Sequence, residues 1–333
     1  IKIRIHGIHG PEIDNSNFRY YLHLALFYYN SYFSRFIFYV DPEKNVKSTN
    51  NPEVIEINIL LKRIVGKLGK TELFVHNQYY QQAFVFFNFT EFYLSKEKDP
   101  ILKNYEIIQS GFKYVTDPMI VHLAVNLAHI NESEKLLTIC DSIEFSEILD
   151  LKLVKAEYHL KIGKTDEALE SYKAYLDCVE TIDLRCAKLS LLVIDTSYTL
   201  KNNPLIFVEN LIQKKQFSTE NHKNLIKAYA LRFYVDSAIE AYDILEPILE
   251  RYADFDREEK LAICSILATI QRNEECESYL RSIVDIDVES PELKFYIQIL
   301  QKLKKNHEEI LMYLGKWNDH YNVDPQFLSW EMH

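Results

Sequence analysis

The amino-acid sequence predicts an all-α chain built from antiparallel helix pairs, and three observations carry that prediction. Glycine and proline are scarce, 7 and 9 among 333 residues. The turns of a β-sandwich and the phosphate cradle of a dinucleotide-binding domain need many more. Apolar residues return at helical spacing on both sides of short polar breaks. This is clearest in 149–180, where Leu149, Leu153, Ala156 and Leu160 precede Gly163, and Ala168, Leu169, Tyr172 and Leu176 follow it. Finally, the same corner-then-helix pattern, keyed on the residue equivalent to Ala168, recurs at Ile101, Leu136, Phe207, Ala238, Cys276 and Ile310. The successive spacings are 35, 32, 39, 31, 38 and 34 residues. A period in that range marks an array of helical hairpins.

Taken from the N-terminus, Ile1 to Ile5 alternates isoleucine with Lys2 and Arg4 and reads as a short strand continued from sequence upstream. Residues 12–40 are crowded with aromatics, among them Phe18, Tyr20, Tyr21, Phe27, Tyr28, Phe36 and Tyr39. Leu22 to Val40 approaches the length of a bilayer span, but His23, Asn30 and Arg35 interrupt it, so an amphipathic capping helix is expected and no membrane is predicted as a partner. No signal peptide is visible. A polar break, Asp41 to Asn51, precedes a helix expected over Pro52–Leu68. Residues 1–78 are thus read as an aromatic-rich helical cap. It covers the first hairpin, docks on an absent N-terminal domain, or packs on a second copy of the chain.

Residues 79–333 are read as about seven hairpins. Their corners fall at Ser95–Pro100, Asn131–Lys135, Gly163–Asp166, Asn202–Pro204, Tyr234–Asp236, Asn273-Glu274 and Asn306-His307. The third shows the mechanism. Gly163 suits the left-handed residue that ends a helix, and Thr165 or Asp166 can open the next one.

Motifs for chemistry are few. Gly66-Lys67-Leu68-Gly69-Lys70-Thr71 has the ending of a phosphate loop, but Ile64 stands where the first glycine is required and the preceding residues read as helix. Asp285-Ile286-Asp287 and the Asp254, Asp256 pair lack the central glycine and ligand number of a calcium loop. The five cysteines, Cys140, Cys178, Cys186, Cys264 and Cys276, form no C-x-x-C pair and read as small core residues of a reducing, cytoplasmic compartment. Sequons at Asn88 and Asn131 fall inside helical patterns. No catalytic residue, metal site or cofactor is predicted. The net charge of −11 argues against nucleic acid. Lys214-Lys215 and Lys302, Lys304, Lys305 read as solvated faces.

The 149–180 unit resembles a tetratricopeptide repeat (TPR), with Ala156 at the small eighth position, Gly163 at the corner, Ala168 at the twentieth and Tyr172 at the twenty-fourth. It departs from that family at Lys152, Tyr175 and Glu180, where Trp, Ala and Pro are favoured. Ala124 and Cys264 supply further small residues at the eighth position. The resemblance covers roughly residues 79–333 and implies a right-handed superhelix whose concave surface binds a protein or peptide. Carried over by repeat position, that surface includes Asp150, Leu153, Glu157 and Leu160, then Glu220, Lys223, Lys227 and Ala230, then Glu258, Leu261, Ser265 and Ala268. The residues selected for partner binding are Glu157, Lys223, Asn224, Lys227 and Ser265. Lys223 and Asn224 match part of the carboxylate clamp some TPR domains use, whereas Leu153 and Glu157 do not. The expected function is a non-catalytic scaffold or adaptor. The alternative is a sensing or substrate-recruiting segment of a larger effector, such as a protease, a glycosyltransferase or a peptide-responsive regulator, with its active domain elsewhere.

Overall fold

The computed structural model describes residues 52–68, 78–110, 116–284, 291–305 and 307–320, together with a few positions between 20 and 27. Ile1–Ile5 and nearly all of the aromatic segment 12–40 lie outside the described residues, as does Asp285-Ile286-Asp287. The described chain is all-α, with fifteen α-helices and a single two-residue strand pair. In chain order the helices are α1 (Pro52–Leu68), α2 (Gln78–Ser95), α3 (Asp99–Gln109), α4 (Asp117–His129), α5 (Ser133–Cys140), α6 (Asp150–Lys161), α7 (Thr165–Cys178), α8 (Leu184–Thr199), α9 (Pro204–Lys214), α10 (Glu220–Leu231), α11 (Ala238–Leu249), α12 (Arg257–Thr269), α13 (Asn273–Arg281), α14 (Pro291–Lys302) and α15 (His307–His320). Two compact units divide the chain, residues 1–175 and 176–333.

Local chemistry explains where helices begin. Asp183, Asn203, Thr219 and Asp256 each accept a backbone N–H from the first turn of α8, α9, α10 and α12. Proline occupies the first turn of α3, α4 and α9, where its missing N–H costs nothing. Asp256 and Glu259 form a complete capping box, so this aspartate is a helix start and not merely loop.

The ends of first helices are even more regular. Lys96, Asn131, Gly163, Lys201, Gln271 and Lys304 all have φ between +52° and +76°. Behind five of them the backbone closes a Schellman motif: Glu132 N–H to the Leu127 carbonyl, Lys164 to His159, Asn202 to Ser197, Arg272 to Leu267 and Lys305 to Leu300. Seven residues before each left-handed position stands a fully buried side chain: Phe89, Ala124, Ala156, Ile194, Cys264 and Ile297.

The α10–α11 corner breaks the rule. Ile226 holds the buried position, but Phe233 is not left-handed, and a 3₁₀ turn at Val235–Ser237 lengthens the connection. The small buried residue of α11 is therefore Ala241, three residues beyond the Ala238 expected from the spacing.

In the first unit the core runs through α1, α2 and α4: Ile57, Leu60 and Ile64 meet Ala83, Phe89 and Phe92, with Leu123 and Leu127 beyond. Buried polar pairs fix the helix register. Asn58 donates to Thr90 Oγ1 (3.0 Å) and Glu91 (2.7 Å), Asn88 to Asn104 (2.7 Å), and Asn104 to the Val85 carbonyl (2.9 Å). Left unpaired, such groups would cost about 1–3 kcal/mol each. Asn88 is thus core, whereas Asn131 is exposed at a corner. Gly66 to Leu68 closes helix α1, which excludes the strand-to-helix setting of a phosphate loop.

In the second unit, α8, α10 and α12 touch one another, and α9, α11 and α13 each pack on their own hairpin partner. The loops entering α8 and α10 pair as parallel strands, Thr181 with Gln216 and Ile182 with Phe217, one hairpin apart. Lys215 is not a free surface lysine. Its ammonium donates to the Asp177 (2.8 Å) and Val179 (2.7 Å) carbonyls at the end of α7. All five cysteines are free thiols, and Cys178 is exposed at the end of α7, unlike the core cysteine expected there.

Candidate functional site

The densest polar grouping of the second unit lies across α8, α10 and α12. Their N-terminal ends carry one set of groups. Lys188 of α8 reaches Asp256 and Glu258 at the start of α12, 2.5 Å from each. Burial works to lower the Lys188 pKa, but the hydrogen bonds to the two carboxylates prevail and push it up to about 12. Burial likewise opposes ionisation of Asp256, and the Lys188 bond and helix-cap N–H groups outweigh it, holding its pKa below the usual value. The lysine contribution is full below the ordinary lysine pKa and fades as pH rises through about 12. The aspartate contribution is full above its ordinary pKa and fades in acid.

Beside this pair, His222 Nδ1 lies 3.2 Å from the Ser218 hydroxyl and Nε2 lies 3.2 Å from Glu259 Oε1. His222 is 13% exposed and Glu259 4%. The other Glu259 oxygen accepts the Asp256 N–H at 3.1 Å, while Oε1 accepts no hydrogen bond. Ser218 itself is exposed, and its backbone N–H is anchored on the Ile182 carbonyl at 3.0 Å.

The C-terminal ends carry a second set, centred on Arg232. Its guanidinium bonds Asp195 of α8 at 2.5 Å and Ser265 of α12, and lies 3.9 Å from the Tyr229 ring and 4.3 Å from the Phe233 ring. Tyr229 donates to the same aspartate at 2.7 Å. Phe233 stacks on the exposed Tyr198 with centroids 3.9 Å apart. The irregular corner after α10 is therefore tied to both neighbouring helices.

The sequence-selected residues fall as follows. Lys223 pairs with Glu220 at 2.7 Å and Lys227 with Glu240 of α11 at 3.0 Å, both at the surface. Asn224 is half-buried between them on α10. Ser265 belongs to the Arg232 set. Glu157 lies in the first unit, where it accepts the Tyr172 hydroxyl at 2.6 Å. Ala230 and Ala268, expected on the open face, are buried, on helices α10 and α12 that pack against each other and against α8. Sequence reading passed over Lys188, Asp195, Ser218, His222, Arg232 and Glu259. Only the Asp256-x-x-Glu259 capping spacing was visible in advance. Ser218 and His222 lie four residues apart, and the other pairings join residues about 30 to 70 apart and need the fold.

Among the described residues no grouping of three His, Cys, Asp or Glu is placed to hold a metal ion, and no helix is long and apolar enough to cross a membrane. No protein-family model matches the chain, and no curated protein sequence matches it.

Proposed function

We propose that the chain is a TPR-like helical-repeat scaffold or adaptor that binds a protein or peptide through the first helices of its hairpins. The observation that carries this reading is the one-hairpin offset of its contacts. Lys161 reaches Ala128, Tyr229 and Arg232 reach Asp195, Arg232 reaches Ser265, Tyr242 reaches Glu275 and Arg257 reaches Glu292, all 33 to 37 residues away. Contacts between equivalent positions of successive repeats are what a stacked array requires. Such an array grows surface in proportion to its length, and that surface suits an extended segment or a partner helix. On this reading Lys223, Asn224 and Lys227 of α10 recognise a partner with acidic and apolar side chains and Ser265 of α12 extends that surface, while Glu157 of α6 belongs to the corresponding surface of the first unit.

The test is crosslinking with mass spectrometry on partner captured by the whole chain, followed by the Lys223→Glu/Lys227→Glu variant. Crosslinks to α6, α10 and α12, and at least a tenfold loss of affinity with unchanged helicity, are expected. Crosslinks confined to second helices, or full affinity in the variant, would overturn the proposed surface.

A further inference from the structure

Beyond a binding role, and independently of it, we propose that Ser218, His222 and Glu259 form a surface acyl-transfer centre whose nucleophile is the Ser218 hydroxyl. Three segments build it. Ser218 follows the short strand Gln216–Phe217 before α10, His222 sits in the first turn of α10, and Glu259 sits in the first turn of α12. With Nδ1 accepting from Ser218, the imidazole proton resides on Nε2, 3.2 Å from Glu259 Oε1. That oxygen is buried and has no hydrogen-bond partner, its approach to Nε2 being a charge-pair contact that tightens when the imidazole gains the Ser218 proton, and the capping box holds its carboxylate in place. This is the order of a hydroxyl nucleophile, its base, and an acid that orients the base and stabilises its cation. The ring nitrogens are used in the opposite sense to the chymotrypsin arrangement. The chemistry depends on which nitrogen faces the hydroxyl, not on its label.

Two further features fit. The Ser218 hydroxyl is exposed, so an ester can reach it without a cavity. The first-turn N–H groups of Glu220 and Asn221 have no carbonyl one turn earlier in the helix, and a helix N-terminus favours a developing oxyanion. The charged groups on the packed helix ends are Asp183, Arg185 and Lys188 at the start of α8, Glu220 and Lys223 at the start of α10, and Asp256, Arg257, Glu258, Glu259 and Lys260 at the start of α12. Five carboxylates and five cations balance there, which favours neither sign of charge. The substrate class is a small ester without net charge.

In the acyl step the Ser218 oxygen bonds the ester carbonyl carbon while its proton passes to His222 Nδ1. The carbon–alkoxide bond then breaks, and the alkoxide leaves with that proton. Water attacks the acyl-serine, His222 takes a proton from it and returns it to Ser218, and the carboxylic acid is released. Ser218 and His222 are the catalytic residues, and Glu259 is a positioning residue.

The experiment exposes the whole chain to an alkyl fluorophosphonate, which loses fluoride on bonding an activated serine, and locates the adduct by peptide mass spectrometry. A single adduct on Ser218 is expected, absent in Ser218→Ala and formed at least 100-fold more slowly in His222→Gln, in line with the 10²–10⁴-fold contribution of general-base catalysis. Glu259→Gln keeps an acceptor for the Asp256 N–H, so a purely structural role survives it. The inference expects slower labelling and an altered pH profile in that variant, at unchanged helicity. Ser218→Cys supplies a second readout, with exposed Cys178 as internal standard. Iodoacetamide should alkylate the new thiol at least tenfold faster than Cys178 at pH 7, and at the same rate once His222→Gln is added. No adduct on Ser218, labelling indifferent to His222, or a new thiol no faster than Cys178 would each overturn the proposal.

Discussion

His122 shows how one buried side chain sets an acid limit on the first unit. Its ring stacks on Phe89 at 4.4 Å and its Nε2 meets the Tyr93 hydroxyl at 2.7 Å. Burial pushes its pKa down to about 3. The unfolded chain takes up a proton near pH 6.5 and the folded chain does not. Its stability contribution is therefore full above about pH 6.5 and falls as pH drops toward 3. The slope approaches about 1.4 kcal/mol per pH unit where only the unfolded state is protonated. Urea midpoints of wild type and His122→Gln, measured from pH 7 to pH 4, check this. The curves should converge in acid, and parallel curves would show that His122 is not the group responsible.

At the scale of elements, the hairpin corner is the unit of design. Lys201 and Gln271 pay the steric cost of a left-handed backbone that Gly163 avoids. Gln271→Gly should raise stability by about 0.5–1 kcal/mol, and Gly163→Val should lower it by about 1–2 kcal/mol, both read from thermal unfolding. On the paired helices α6 and α7 the small residues Ala156 and Ala168 are fully buried. Ala156→Trp or Ala168→Trp overfills the core there and should cost about 1–3 kcal/mol or more. An unchanged melting temperature would mean that these alanines do not face a packed partner.

For the whole molecule, contacts within each compact unit are local along the chain, joining helices of the same hairpin and of neighbouring hairpins. On the proposed repeat-array reading, cooperativity falls as the chain lengthens. Urea unfolding of the full chain should accordingly give a denaturant slope below that expected for one cooperative unit of 333 residues. Hydrogen exchange should be graded among hairpins. A single sharp transition with uniform exchange of the most protected amides would contradict this.

Helix content, the position of most corners and the small residues at 124, 156, 168 and 264 follow from the sequence alone, because helical periodicity and capping act within a few residues. The small buried residue of α11 was set three residues early in that reading, at Ala238 instead of Ala241, since a spacing count cannot register a 3₁₀ turn inserted in the corner. The five residues selected for partner binding were placed on first helices by position. Their commitments to Glu220, Glu240, Arg232 and Tyr172 were not legible. Nor were the meeting of Lys188 with Asp256 or of His222 with Glu259. His222 and Glu259 belong to successive hairpins and Lys188 and Asp256 to hairpins two apart, so both pairs depend on how whole side-chain surfaces fit where α8, α10 and α12 pack together. That fit is a property of the packed helices, so only the tertiary structure decided which distant polar groups share a site.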